Sequence, residues 1–556
     1  MPPQVLSEAR IPRWTKHVVT ELGGRDPLGL SRVSFAITDY LLTGIITTTS
    51  RARYYSFYPW ALWSIENTEN PKHYSAFSAA FRRREAFMAL STLSNNPEAS
   101  VVGHDAVEPR LQKSSEAGEV DTNFKVLPSN GMGGYGQYYG GSLYGLGLTR
   151  RTEDGIDKVA SGRGQALAEA FEESVRATPY CKQQQFNESV IPLPILHKSG
   201  ERFSLDSLNQ RYADAERHLL RDLFFAWDRP DLSDTDIFRR HTLALILNSV
   251  LCYQKTGVAP KVSTVDHYLV YPTYYYGVLN VNDGRTTPYS VPPQLATCLG
   301  FWRQFSVHEY FTEGLELLLY AVLEVLNLHP AGMKVEHICD ALLTSTFTAT
   351  LSDTFAKATS PSELLGSVGA SDLPTELTSL KAQKHIGAGS KRSEWSLVDL
   401  EDGSPQVAAA VGIGLLAVLY SKWRGSGSEF IRYIAPKAGS NLWIGTMLPS
   451  LDHWFRPGTT WHIALQRLIE VFILDQHDRI VYEKGRLESS WLHRLEGLVI
   501  KDQDYEPVDR SSRHWNCIMI LRDLELLKID SDGGISITTE GRGMLNRILK
   551  TDAKNS

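Results

Sequence analysis

This chain of 556 residues is short of the residue patterns that most catalytic chemistry needs. Its five cysteines, Cys181, Cys252, Cys298, Cys339 and Cys517, all stand far apart. That spacing builds neither a zinc knuckle nor a redox Cys-x-x-Cys, and an odd, scattered set suits a reducing compartment where thiols serve as small core residues. A surplus of positive charge is lacking too. The 57 Lys+Arg against 63 Asp+Glu leave −6, with no general attraction for nucleic acid or anionic lipid. GxxxxGK[ST], HExxH, DFG and GxSxG are all missing, so the common phosphate loop, zincin helix, kinase and nucleophile-elbow signatures are excluded. The first residues, MPPQVLSEARIPRW, contain no apolar signal core. The most apolar window, Val407 to Tyr420, is 14 residues long, where a bilayer span needs about 20. A cytoplasmic protein is expected, with that window as a buried helix and no membrane partner.

What is present reads mainly as helix. Val33, Ala36, Ile37, Tyr40 and Leu41 mark one helical face, and residues 76–94 resume that spacing through Phe77, Phe81, Phe87 and Leu90. Between them lies an aromatic run from Arg53 to Trp63, in which Pro59 is expected to separate two helical pieces. Residues 219–227, 242–253, 311–328 and 459–482 also carry helical faces, and 311–328 is apolar nearly all round. Residues 263–297, with Asn282-Asp283-Gly284, suggest an ordered loop or small hairpin. The length predicts several domains. The expected division is an N-terminal helical domain (1–103), a linker (104–125), a small module (126–180) and a central helical domain (181–352). A polar connector (353–406), a helical segment (407–458) and a C-terminal unit (459–556) follow.

One grammar occurs twice. Leu143-x-x-Leu146-x-Leu148 leads into a charged turn with Asp154-Gly155 and then Ser161-Gly-Arg-Gly. Near the C-terminus, Leu521-x-x-Leu524-x-Leu526 leads through Asp532-Gly533-Gly534 and Ile535-Ser-Ile-Thr to Gly541-Arg-Gly. The leucine triplets lie 378 positions apart and the Gly-Arg-Gly triplets 379, which suggests one added residue in the turn. This text resembles the second half of a winged-helix module: a recognition helix, a hairpin wing and a last helix. The resemblance implies Thr539 as the cap of that last helix and Ser511-Ser512 as the cap of the recognition helix. The C-terminal copy matches better, because seven glycines between Gly131 and Gly145 weaken the earlier helix. The fold class expected is mainly α, multidomain, with one or two small winged-helix (α+β) modules.

Candidate nucleic-acid contacts come from two places. Arg51, Arg53, Tyr54 and Tyr55, followed by Arg82, Arg83 and Arg84, form a basic and aromatic cluster in a region with 11 Lys+Arg against 7 Asp+Glu over residues 1–90. Aromatics beside guanidinium groups are a way to hold single strands; the alternative is a helical core whose arginines cover it. Arg510, Arg513 and His514 flank the candidate recognition helix. Yet residues 456–556 hold 15 Lys+Arg against 16 Asp+Glu, and a duplex reader normally carries positive surplus. Gly131-Met-Gly133-Gly-Tyr-Gly136 matches GxGxxG without a strand before it. His308, Glu309 and Glu313 are the first suspects for a site assembled from distant residues, and Glu119-Val-Asp121 with Lys125 is the nearest text to a metal-nuclease core. Asp475-Gln-His477-Asp478 reads as solvated surface.

No cofactor or metal is expected. The function expected is a non-enzymatic component of a protein or protein–DNA assembly, docking partners through winged-helix modules. Its architecture broadly resembles that of subunits in chromosome-organising or anti-phage complexes. The alternatives are a DNA- or RNA-binding regulator or defence sensor using the N-terminal Arg/aromatic surface, and an unrecognised nuclease.

Overall fold

Ser233 and Asp236 cap each other at the start of the Asp234–Thr256 helix, the hydroxyl accepting the Asp236 N–H and the carboxylate the Ser233 N–H. Local signals of this kind start the helices, and burial keeps them. The computed structural model describes residues 26–555 apart from 154, 281–285, 356–357, 369–393, 399, 401–402, 424–428, 486–489 and 509. It is 66% helical with only two-stranded sheets, which makes it a mainly α protein.

Its longest helix, Ala296–Asn327, is buried along most of its length and packs against the Pro405–Trp423 helix. The two cross at Gly314 and Gly412, where a Cβ on either residue would meet the other's carbonyl oxygen at 3.2 and 2.7 Å. Pro405–Trp423 is long and apolar enough to cross a membrane, yet its most apolar stretch is 89% buried inside the protein, so it is a core helix as expected. Ser31–Leu41 packs against the first of this pair, while Tyr54–Thr68 packs on Arg163–Val175 and Tyr74–Asn95 on Leu193–Phe203, and one connected set of buried apolar residues runs from Leu28 to Ile548.

Several sequence expectations change. Pro59 does not divide its helix: Tyr54–Thr68 is continuous, with the proline buried inside it. Residues 104–125 are not a linker. They form the His104–Ala117 helix and the Glu119–Asp121 strand, which pairs antiparallel with Val190–Pro192. Only Val107 and Ser114 of that helix are buried, so no apolar stripe marks it in the sequence. Trp461–Leu468, Ile469–Asp475 and Gln476–Lys484 run on as one helix with a π-helical middle. Its Gln476 and His477 are buried rather than solvated. Val278–Asn280 and Thr286–Pro288 pair as the expected hairpin, while Asn282-Asp283-Gly284 lies outside the described residues. So do the first 25 residues and the middle of the polar connector, whose described flanks include the Pro361–Val368 helix.

Candidate docking site

Each leucine triplet ends a helix in the same way. Leu148 N–H donates to Leu143 O and Leu526 N–H to Leu521 O, both at 2.9 Å. Gly147 N–H donates to Tyr144 O and Glu525 N–H to Arg522 O. This pair of bonds is a Schellman end, which needs a left-handed residue just past the helix. Gly147 takes φ +71° there and Glu525 φ +59°. The triplet thus encodes a helix stop whose first and third leucines meet.

A two-stranded hairpin follows in both places. Thr149 pairs with Val159 in the first and Leu527 with Ile537 in the second. The turns match too: Gly155 N–H donates to Thr152 O, and Gly533 N–H to Asp530 O, with φ +74° and +81° at the glycines. Ala160 N–H and Thr538 N–H then return to Leu148 O and Leu526 O. The 378-residue spacing holds through all of these bonds, so the extra residue is not in the turn. Past the second strand the spacing falls to 377, so the added residue lies there and belongs to the first unit. A Cβ on Gly164 would meet Leu148 O at 2.2 Å and one on Gly541 would meet Leu526 O at 2.1 Å, so these two glycines are equivalent and not the matching letters of Gly-Arg-Gly. The cap of the last helix is Thr538, whose hydroxyl accepts Gly541 N–H at 3.0 Å, one residue before the expected Thr539. Ser512 does accept the His514 N–H at the other helix start.

The two units are packed differently. In the second, the His514–Asp523 helix is buried apart from a few side chains, Trp515 at 39% being the exposed large one. Its wing is covered by Pro260–Val262, which donates Val262 N–H to Gly533 O and accepts Ile535 N–H at Pro260 O. In the first, the helical run Tyr135–Tyr139 plus Gly140–Gly145 leaves Gly136, Gln137, Gly141, Tyr144 and Gly145 exposed. Tyr144 is 54% exposed, with the Arg151 guanidinium 5.2 Å from its ring centre. Beside that wing is a cleft of about 130 Å³ between Ile156–Lys158 and the Tyr54–Thr68 helix, floored by Leu62, Ile65 and Phe77.

The residues proposed for nucleic acid lie elsewhere and inward. Arg51, Arg53, Tyr54, Tyr55, Arg84, Arg510, Arg513 and His514 are all buried, and Arg82 and Arg83 are half-buried. Arg53 donates through Nε and Nη2 to both oxygens of Glu216 at 3.1 Å and through Nη1 to Arg202 O and Ser204 O. Arg51 joins Asp523 and Asp206, at 2.9 and 2.6 Å. Arg83 and Arg84 share Glu69, each at 2.8 Å. Tyr54 and Tyr55 pack on Tyr139, which makes the aromatic run the core of the first unit. His514 sits edge-on to Trp302 and is held neutral, its pKa pushed down to about 3 by burial. The cluster is a core covered by its own arginines rather than a solvent-facing surface. Alternation with Ala, Leu and Ile was the signal for burial.

His308 and Glu309 lie in the middle of the Ala296–Asn327 helix. Both are buried. His308 Nε2 faces Leu30 O at 3.0 Å, and burial lowers its pKa to about 4. Glu309 accepts from Ser34 Oγ at 2.6 Å and Arg510 N–H at 3.3 Å; burial raises it to about 7 against the pull of Arg510. Arg510 also forks onto Glu316. No local pattern marks Glu316, nor the buried Lys422–Glu394 pair, whose carboxylate accepts the Tyr275 and Tyr276 hydroxyls. Their partners come from distant segments. Glu119 and Asp121 lie exposed on one face of their strand. Among the described residues, no group of three His, Cys, Asp or Glu side chains is placed to hold a metal ion.

No family model, curated protein or solved structure matches this chain.

Proposed function

We propose that this chain is a non-enzymatic component of a protein assembly and that it docks a partner protein through its first helix–hairpin–helix unit. One observation carries the reading: two units with the same backbone hydrogen bonds differ in access. The second is closed off by Pro260–Val262 on its wing and by Arg51 on Asp523. The first keeps the outer face of its short helix and wing in solvent. Read as winged helices, the second serves as an internal brace and the first as the docking module. With 5 Lys+Arg against 6 Asp+Glu over residues 126–180, that module suits a protein better than a phosphate backbone.

The test is affinity purification of the full chain from its native host. A stoichiometric protein partner is expected, released by Tyr144→Ala with Arg151→Ala at unchanged thermal stability. A chain recovered alone, or one carrying nucleic acid with salt-sensitive binding to single- or double-stranded DNA, would sink the reading.

A further inference from the structure

The two wings are equivalent residue by residue, but only the second has a segment hydrogen-bonded along its outer edge; at the first, Asn70, Pro71 and Lys72 face Ile156–Lys158 across the cleft. There, Pro260–Val262 runs antiparallel to Gly533–Ile535, with Val262 N–H on Gly533 O at 3.0 Å and Ile535 N–H on Pro260 O at 2.9 Å. The 378-residue spacing maps that acceptor and that donor onto the Gly155 carbonyl and the Asp157 N–H. Among the described residues neither makes a backbone hydrogen bond, and Gly155 is exposed. An edge with a free donor and acceptor in register is a template for another strand.

We propose that the first wing takes an extended segment of a partner protein as an added strand on Gly155–Asp157, as the second wing takes Pro260–Val262. The proposal rests on the docking reading and gives it a site. The chain itself supplies the precedent for the occupant: a short extended segment of its own on the equivalent edge. Side chains of an added strand alternate between its faces, so one of them can enter the cleft over Leu62, Ile65 and Phe77. At about 130 Å³ the cleft has room for one branched aliphatic group. On the rim Lys158 already holds Glu66 at 2.7 Å. Lys72 is exposed there and makes no ion pair among the described residues, so it favours an acidic neighbour in the segment.

A labelled peptide of residues 258–264, VAPKVST, is the probe, titrated against the full chain by fluorescence anisotropy with hydrogen exchange read in parallel. Saturation below about 1 mM is expected, with slowed exchange at residues 155–158. The variant VAPEVST should bind several-fold tighter through Lys72. Asp157→Pro, which removes the N–H, should weaken binding about tenfold or more. If Asp157→Pro does not fold, the exchange pattern of the unaltered protein decides alone. No saturation, equal binding by a folded Asp157→Pro, or protection at residues 533–535 instead would overturn the proposal. So would dimers in sedimentation that the peptide dissociates, since the occupant would then be a second copy. A native partner retained by Asp157→Pro but lost with Tyr144→Ala would remove the added strand and leave the docking reading standing.

Discussion

Glu85 explains the glycines of the GxGxxG text. Its Oε1 accepts Gly134 N–H at 2.8 Å and the Tyr58 hydroxyl at 2.9 Å. A Cβ on Gly133 would fall 1.7 Å from Oε2, so the loop needs glycine to close over a carboxylate from its own chain. Glu85 is buried, and burial raises its pKa to about 7 against the pull of these hydrogen bonds. Folded, the group keeps its proton up to about pH 7; unfolded, it ionises near 4.5. Its stabilising effect is therefore complete below pH 4.5 and lost as pH rises through 7. Urea unfolding should show wild type losing about 3 kcal/mol relative to Glu85→Gln across that window; parallel curves would refute it. Arg53 makes the matching case for cations. Arg53→Ala should cost about 3–5 kcal/mol in chemical denaturation, because Glu216 would be left charged and buried. A stable variant with weakened nucleic-acid binding would restore the surface reading.

The internal duplication is the informative feature at the level of elements. Its helix stops and hairpins were legible because Schellman ends and glycine turns have local signatures. The register of the last helix was not, because letters matching at Gly-Arg-Gly with a spacing of 379 hid the true spacing of 377, which only the approach of Gly164 and Gly541 to a carbonyl reveals. Gly541→Ala should accordingly lose about 1–3 kcal/mol, read from the urea midpoint. At the other equivalent pair, Glu525→Gly should gain about 0.5–1 kcal/mol by relieving a left-handed side chain, since the Arg217 ion pair it gives up is half exposed. No change in either variant would contradict the assignment. The His104–Ala117 helix was missed because it buries so little, and periodicity reports burial rather than helix.

For the molecule as a whole, the C-terminal unit packs on the first described helix and on the central region. Arg510 forks onto Glu316 and also donates to Ser31, tying the C-terminal unit to the central helix and the first helix. Arg221 reaches Leu524 O, and His241 faces Asp552 at 2.9 Å. Arg510→Ala should therefore cost about 3–5 kcal/mol by leaving Glu316 unpaired. Limited proteolysis should then release the C-terminal unit early. Unchanged protease resistance would show that apolar packing alone holds it.

The sequence by itself determined the helical class, the buried Val407–Tyr420 segment, the scattered free cysteines and both helix–hairpin–helix units. These follow from periodicity, composition and turn chemistry, which act within a few residues. Whether Arg51, Arg53, Arg510 and His514 face water was decided only by the tertiary structure, because their partners lie tens to hundreds of residues away. The same holds for the two wings. Their local text is alike, and only the placement of Pro260–Val262 puts a hydrogen-bonded segment on one edge, the other having none among the described residues.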